Sequence, residues 1–189
     1  MEKKLEDNLL AEEVKKIAEK DLELAEKLAE SIQDPEAKVM AFLNLYMISK
    51  KQDFLDKAIK NARSDSDYLR IVEITGLDLS ESIKDPYKRD LAYASLFERT
   101  CDFNYSEKIQ DRKIASASMK RVSEKLGPPE NLKVARRIPD AYYRCLALVE
   151  ISEKEKIDLR AEILDSLNAI ENIWLRKWLE ARLKANSKL

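Results

Sequence analysis

Charged side chains are the groups in this 189-residue chain with the most capacity for chemistry. The sequence has 36 Asp and Glu and 35 Lys and Arg, but no His, the usual general base and metal ligand. Two Glu side chains brought together could still exchange a proton with a substrate. There is no glycine-rich phosphate loop, no Cys pair at metal spacing and no nucleophile motif. We therefore predict no enzyme activity, no cofactor and no metal, and keep a carboxylate-based enzyme as the third hypothesis.

Charge is distributed unevenly along the sequence. From residue 111 onward there are 17 Lys and Arg against 12 Asp and Glu, whereas the preceding part has 18 against 24. The most basic segment, 112–150, has 9 against 4. A basic surface with aromatic side chains could bind a nucleic-acid backbone, and this is the second hypothesis. A charged helix face that attracts an acidic protein neighbour is the competing interpretation.

Aromatic residues accompany the cations in two places. Tyr142 and Tyr143 are adjacent, so on a helix they point in different directions and at most one belongs to the core. Trp174 and Trp178 are four residues apart and share one helix face. We expect this pair to close the end of the structure or, alternatively, to anchor a partner or a homodimer through the C-terminal end. The candidate partner-binding residues are Arg136, Arg137, Tyr142, Tyr143, Arg144, Trp174 and Trp178.

The composition predicts that helices carry these residues. Only 2 Gly and 5 Pro are available for tight turns, which makes an all-β fold improbable. Charged residues make up 38% of the chain and apolar residues 44%, as expected for helices with broad charged faces around a core. The abundance of Glu and Lys with few Gln is typical of heat-adapted proteins.

A recurring frame predicts how the helices are arranged. It consists of an Ile, an Asp or Asn two residues later, and a Lys or Arg four residues after that. An Asp or Asn at a helix start accepts hydrogen bonds from free backbone N–H groups. A Pro can follow it without loss of a hydrogen bond, because the first helical N–H has no partner in the helix. We expect the cation to reach back towards the cap carboxylate. The four caps, with their cations, are Asp34 with Lys38, Asp85 with Arg89, Asp140 with Arg144, and Asn172 with Arg176.

Two weaker copies place further caps at Ser66 and Asp111. Seven, eight and eleven residues after the strong caps, small or apolar residues recur, and these offsets lie on one helix face. Self-similarity of this kind indicates an array of helical hairpins. We predict an N-terminal helix at about 3–18, then about six short hairpins. The recurring apolar positions are Ala41, Ala92 and Ala147; Phe42, Tyr93 and Leu148; and Leu45, Leu96, Ile151 and Leu183.

The segments 34–41 and 85–92 resemble the second helix of short HEAT-like repeats, which start with Asp-Pro, carry a basic residue four later and a small residue three beyond it. Segment 140–147 matches without the Pro. A tetratricopeptide-like superhelix is the close structural rival. The resemblance implies an all-α solenoid, or α–α superhelix, that presents a curved surface to a partner. It implies no catalytic residue.

The leading hypothesis is therefore a non-catalytic helical-repeat scaffold that forms one domain over 1–189. We expect it to bind a protein or peptide partner in a groove, because stacked repeats create a continuous concave surface. The first residues lack the apolar stretch of a secretion signal, and no window approaches 18 apolar residues. We expect a cytoplasmic protein that does not enter a membrane.

Overall fold

The structure is a computed structural model that describes residues 2–185. These residues form twelve α-helices and one 3-10 helix, with no strand among them, so the prediction of an all-α fold is confirmed. The α-helices are α1 (Glu2–Ala18), α2 (Leu22–Ser31), α3 (Pro35–Ser49), α4 (Gln52–Asn61), α5 (Asp65–Thr75), α6 (Pro86–Thr100), α7 (Phe103–Ser106), α8 (Arg112–Lys125), α9 (Glu130–Arg137), α10 (Ala141–Glu155), α11 (Arg160–Asn168) and α12 (Ile173–Ala185).

After α1, the elements alternate in pairs of a shorter and a longer helix. The pairs are α2 with α3, α4 with α5, the 3-10 helix Ser80–Ser82 with α6, α7 with α8, α9 with α10, and α11 with α12. The third pair has the shortest interval between predicted caps, and its first member is reduced to a single 3-10 turn. Gly76 ends α5 with φ 75°, a left-handed conformation that a glycine adopts without strain. Among residues 2–185, no helix is long and apolar enough to cross a membrane.

Contacts divide the chain into two compact units, 1–92 and 93–189, and the division falls within α6. The N-terminal unit packs the inward faces of α1 to α5 around Phe42, Leu43 and Leu45. The C-terminal unit packs α8 to α12 around Leu148 and Leu179. A single domain over 1–189 stays a prediction.

Helix periodicity correctly predicted buried positions in the four second helices that follow the strong caps. Seven residues after the strong caps, the small side chains Ala41, Ala92 and Ala147 are fully or almost fully buried. The apolar residues at offsets eight and eleven are buried as well, from Phe42 in α3 to Leu183 in α12. The inward stripe therefore follows directly from the 3.6-residue period of the helix.

The caps act through their side-chain oxygens at the helix starts. Asp34 Oδ1 accepts from Ala37 N at 3.0 Å, and Asp140 Oδ1 from Tyr142 N at 2.9 Å. In the same way Asp85 accepts from the backbone N–H of residue 88, and Asn172 from that of residue 175. Each cap therefore satisfies an N–H that has no partner within its own helix.

The predicted cap at Ser66 is wrong. Helix α5 is capped by Ser64, whose hydroxyl accepts from Asp67 N, while the Asp67 carboxylate accepts from the N–H groups of Arg63 and Ser64. This reciprocal capping box provides acceptors for more unpaired backbone N–H groups than a lone serine at 66 would. The helix therefore begins two residues earlier than predicted.

The expectation that the frame cations reach back to the cap carboxylate is wrong for Lys38 and Arg144. Lys38 Nζ donates to Glu30 O at 2.8 Å, and Arg144 Nη1 donates to Ile138 O at 2.8 Å. These cations therefore bond carbonyl groups at the end of the preceding helix instead of the cap carboxylate. Helix C-terminal carbonyls lack partners and carry the negative end of the helix dipole, whereas Oδ1 of each cap already accepts from helix N–H groups.

A further contact ties the turn before a cap to an earlier helix. Asp7 Oδ2 in α1 accepts from the N–H groups of Gln33 and Asp34, at 3.2 and 2.8 Å. In α8 of the C-terminal unit, Ser116 Oγ accepts from Asp140 N at 3.0 Å. Both acceptors are buried, so each holds the start of a second helix against the helix two elements earlier in the chain.

Candidate functional site

Three second helices of the C-terminal unit, α8, α10 and α12, begin around one hollow of about 460 Å³. Arg112 and Lys113 line it from the start of α8, Tyr142 and Tyr143 from α10, and Leu175 from α12. The Arg112 guanidinium donates one hydrogen bond to Pro139 O at 3.0 Å, while the Lys113 side chain is exposed. Asp140 and Glu171 also line the hollow, which thus combines charged groups of both signs with an apolar and aromatic wall.

A second hollow of about 330 Å³ follows farther along the same helices and shares Tyr142. On α10 it is lined by Tyr142, Leu146, Glu150 and Glu153, whose spacing of four, four and three residues forms one stripe. Arg182 of α12 lies on the opposite side. Together, these two hollows are called the Tyr142 groove below.

An ion triad stands at the α8 side of the Tyr142 groove. The Lys120 ammonium contacts the Glu124 carboxylate one turn away and both carboxylate oxygens of Glu150, each at 2.9 Å. Burial raises the pKa of the Glu150 carboxyl, and the Glu124 carboxylate adds to the rise against the opposing effect of Lys120. Burial would also raise the pKa of Glu124, but hydrogen bonds to Lys120 and Glu150 outweigh it and lower that pKa.

The triad gives the C-terminal unit a pair of interacting carboxylates with opposite pKa shifts. Such pairs can divide acid and base roles between them. Here both are bound to one ammonium, which joins α8 to α10 across 30 residues of sequence. The small hollow beside the pair holds about 120 Å³ and is lined by Ser123 and Asn131 among others. The triad therefore positions the wall of the Tyr142 groove and sets its charge.

The basic segment 112–150 does not present a row of free cations. Eight of its nine Lys and Arg side chains make an ion pair or a hydrogen bond to a backbone carbonyl, the exception being Lys113. Three of the carboxylate partners, Glu98, Glu107 and Glu162, come from outside the segment. The eight are Arg112, Lys120, Arg121, Lys125, Lys133, Arg136, Arg137 and Arg144.

The three predicted partner-binding arginines have structural contacts. Arg136 forms a two-pronged pair with Glu162, with Nε–Oε2 and Nη2–Oε1 both at 2.8 Å. Arg137 lies over the Phe103 ring, 4.7 Å from its centroid, and 3.8 Å from a Glu107 oxygen. Arg144 bonds the end of α9, as described above, and Ser166 Oγ at 3.2 Å. Each of these guanidinium groups is therefore already held by the protein, and a partner could use only the N–H donors that these contacts leave over.

The predicted aromatic residues fall into two groups. Tyr142 and Tyr143 are both half-buried against the core, with their rings edge to face at 5.5 Å, and both line the groove. Trp174 and Trp178 are 85% and 51% exposed, so their rings remain largely outside the core of the C-terminal unit. Arg182 lies 5.5 Å from the Trp178 ring centroid. The structure therefore brings the tyrosines to the groove and leaves the tryptophans on an outward face.

Sequence reasoning missed Asp7 and the ion triad. Asp7 lies in the stripe formed with Ala11 and Val14, and an acidic residue on an otherwise buried face is a sign of a buried acceptor. The triad left no such sign, because Lys120 and Glu150 are two charged residues among many. Within the part of the chain that the structure describes, no three His, Cys, Asp or Glu side chains group as a metal site would require.

Neither a protein-family model, nor a curated protein, nor a solved structure matches the chain. The HEAT-like resemblance of the second helices thus has only their sequence pattern behind it.

Proposed function

We propose that this protein is a non-catalytic helical-repeat scaffold, of the HEAT-like solenoid type, that binds a peptide segment of a protein partner in the Tyr142 groove. The observation that carries the proposal is the groove itself, built from side chains of three successive second helices. In arrays of helical hairpins, such a surface arises wherever neighbouring repeats present equivalent helices side by side.

The chemistry of the groove selects the class of peptide. Arg112 and Lys113 at the helix starts are complementary to an acidic residue, because Lys113 has an exposed ammonium and Arg112 retains donors beyond its bond to Pro139. Tyr142, Leu146 and Leu175 offer the apolar wall for a neighbouring hydrophobic side chain. We therefore expect a peptide with an acidic residue close to an aromatic or aliphatic one.

Selection from a display library of short random peptides, followed by calorimetric titration, tests the proposal. Lys113→Glu reverses the charge at the groove and should lower the affinity for the selected peptides by about tenfold. This is the effect of one close charge pair at about 1.4 kcal/mol. Lys27→Glu makes the same change at an exposed site of the N-terminal unit and should leave affinity unchanged.

Two results would reject the proposal. One is a library that yields no enriched peptide motif on the folded protein. The other is enriched peptides whose affinity responds equally to Lys113→Glu and Lys27→Glu, because binding would then depend on overall charge and not on the groove.

The nucleic-acid hypothesis has less support. Eight of the nine cations of segment 112–150 are engaged within the protein, so phosphate oxygens would have to compete with those bonds. A titration with single-stranded and duplex oligonucleotides distinguishes the two hypotheses. Tight binding that weakens steeply as salt is raised would favour nucleic acid over peptide.

A further inference from the structure

The first and last helices each expose an apolar pair that the Tyr142 groove does not use. On α1, Leu5 and Leu9 are 64% and 55% exposed. On α12, Trp174 and Trp178 are 85% and 51% exposed. Each pair is separated by four residues, so each lies on one face of its helix. Isolated exposed apolar residues are common on proteins, but terminal helices of repeat arrays usually turn a polar face outward.

A charged residue of opposite sign follows each apolar pair. Glu12 stands one turn beyond Leu9 on α1, and Arg182 stands one turn beyond Trp178 on α12. We call Leu5, Leu9 and Glu12 the N-stripe, and Trp174, Trp178 and Arg182 the C-stripe. Glu12 and Arg182 are both exposed. The two stripes therefore have the same order of apolar, apolar and charged groups, with complementary charges.

The units that carry the stripes also differ in net charge. Residues 1–92 contain 16 Lys and Arg against 21 Asp and Glu, whereas residues 93–189 contain 19 against 15. Two C-stripes facing each other would bring Lys177 and Arg182 of one copy near the same cations of the other. A C-stripe facing an N-stripe would pair opposite charges instead.

We propose that copies of this chain associate head to tail, with the N-stripe of one copy packed on the C-stripe of the next. The interface is heterologous, so a dimer held by one such contact keeps one free N-stripe and one free C-stripe, through which further copies can add. Because each stripe spans only about two helical turns, the buried area falls short of a standard interface and association is weak. Arg182 belongs to both the Tyr142 groove and the C-stripe, whereas the apolar pairs of the two stripes do not line the groove. The proposed contact between copies therefore does not rest on peptide binding in the groove.

Two paired variants test the arrangement by sedimentation velocity over a wide range of protein concentration. Leu5→Glu with Leu9→Glu removes the N-stripe, and Trp174→Glu with Trp178→Glu removes the C-stripe. All four side chains are exposed, so circular dichroism should show the fold intact. The wild-type protein should show a mass that rises with concentration, and each variant alone should stay monomeric. An equimolar mixture should form a one-to-one dimer and nothing larger, because only one intact pair of stripes remains.

The matched control is Leu77→Glu, which places the same charge at an exposed leucine outside both stripes and should leave association unchanged. A wild-type protein that stays monomeric at every concentration would overturn the proposal. So would a Leu5/Leu9 variant that still dimerises while the Trp174/Trp178 variant does not, since this indicates a symmetric contact between two C-stripes. A mixture of the two variants that fails to associate would reject the head-to-tail contact as well.

Discussion

The N-terminal and C-terminal units use the same helix start but secure it with different acceptors. In the N-terminal unit, the Asp7 and Asp65 carboxylates each accept two N–H groups from the turn before a cap. In the C-terminal unit, the Ser116 hydroxyl accepts one such N–H, from Asp140. A charged acceptor makes stronger hydrogen bonds than a neutral hydroxyl. The same kind of helix start is therefore held by a charged acceptor in one unit and by a neutral one in the other.

The units also differ in where their clusters of charged side chains lie. In the C-terminal unit, α8, α10 and α12 line the Tyr142 groove, and the ion triad crosses between α8 and α10. The Lys57 ammonium of the N-terminal unit instead lies over the Phe42 and Phe54 rings while it pairs with Glu26. Charged groups in the C-terminal unit therefore form a groove wall, whereas this cluster in the N-terminal unit covers a core.

Core truncation at the equivalent position of both units should have the largest effect. Phe42 and Leu148 stand eight residues after their caps and are almost fully buried. We expect Phe42→Ala to lower the free energy of unfolding by about 3–5 kcal/mol and Leu148→Ala by about 2–5 kcal/mol. Urea denaturation followed by circular dichroism measures both. A loss below about 1 kcal/mol at either position would break the equivalence of the two helices.

Removal of the buried acceptors Asp7 and Ser116 should have the next largest effect, and the loss of stability should differ between the two units. Asp7→Ala leaves two backbone N–H groups without their charged partner and should cost about 2–3 kcal/mol, whereas Ser116→Ala should cost about 1 kcal/mol. Asp7→Asn keeps an acceptor oxygen without the charge and should fall between these values. Equal losses for Asp7→Ala and Ser116→Ala in denaturant titrations would show that the charge on Asp7 adds nothing.

Exchange of the frame cations should have a smaller effect. Arg144 uses Nη1 for Ile138 O and Nε for Ser166 Oγ, and a single lysine ammonium cannot reach both with this geometry. We expect Arg144→Lys to cost about 1 kcal/mol of unfolding free energy. Lys38→Arg should cost less, since Lys38 makes its bond to the preceding helix through one nitrogen. Thermal unfolding of both variants checks the order, and a larger loss for Lys38→Arg would contradict it.

One carboxyl in each unit should contribute to the pH dependence of stability in opposite directions. Backbone N–H groups of residues 84 and 85 lower the pKa of Asp65, so its stabilising contribution is present above the ordinary value of 3.8 and is lost as pH falls through the lowered pKa. The pKa of Glu150 is raised, so the folded protein holds that proton more tightly than the unfolded chain. Its effect is a fall in stability as pH rises from the ordinary value of 4.5 through the raised pKa.

Glu150→Gln and Asp65→Asn measure these two slopes. Glu150→Gln should flatten the loss of stability above pH 4.5 and leave the protein at least as stable at neutral pH. Asp65→Asn should lower stability at neutral pH and flatten the rise of stability with pH in the acidic range. Denaturant titrations across the pH range measure both effects, which we expect to be the smallest of the series because these carboxylates are partly exposed. Parallel shifts in the two variants would refute the contrast between Asp65 and Glu150.

Much of the fold could be predicted because its determinants are local. A cap acts within three residues of itself, as Asp34 does on Ala37, and the buried offsets repeat within a single helix. The cap at Ser66 was wrong because two serines compete there, and the choice depends on the carboxylate of Asp67 returning to the turn. Competing local caps of this kind are resolved only by the whole set of bonds they make.

The candidate site was predicted less completely. Sequence reasoning selected Tyr142 and Tyr143, which line the groove, but it also selected Arg136 and Arg137, whose guanidinium groups are held by carboxylates 26 and 30 positions away. Leu146 and Lys113 were not selected. They carry no motif, and only the side-by-side arrangement of second helices places them on one groove.

The sequence by itself determined where most of the second helices start and which of their faces is buried, because capping and helix periodicity act over a few neighbouring residues. The tertiary structure decided which charges meet. Lys120 reaches Glu150 across 30 positions and Asp7 reaches the N–H of Asp34 across 27. A chain with 71 charged side chains offers many such pairs, and packing of the helices selects among them by bringing a few within bonding distance.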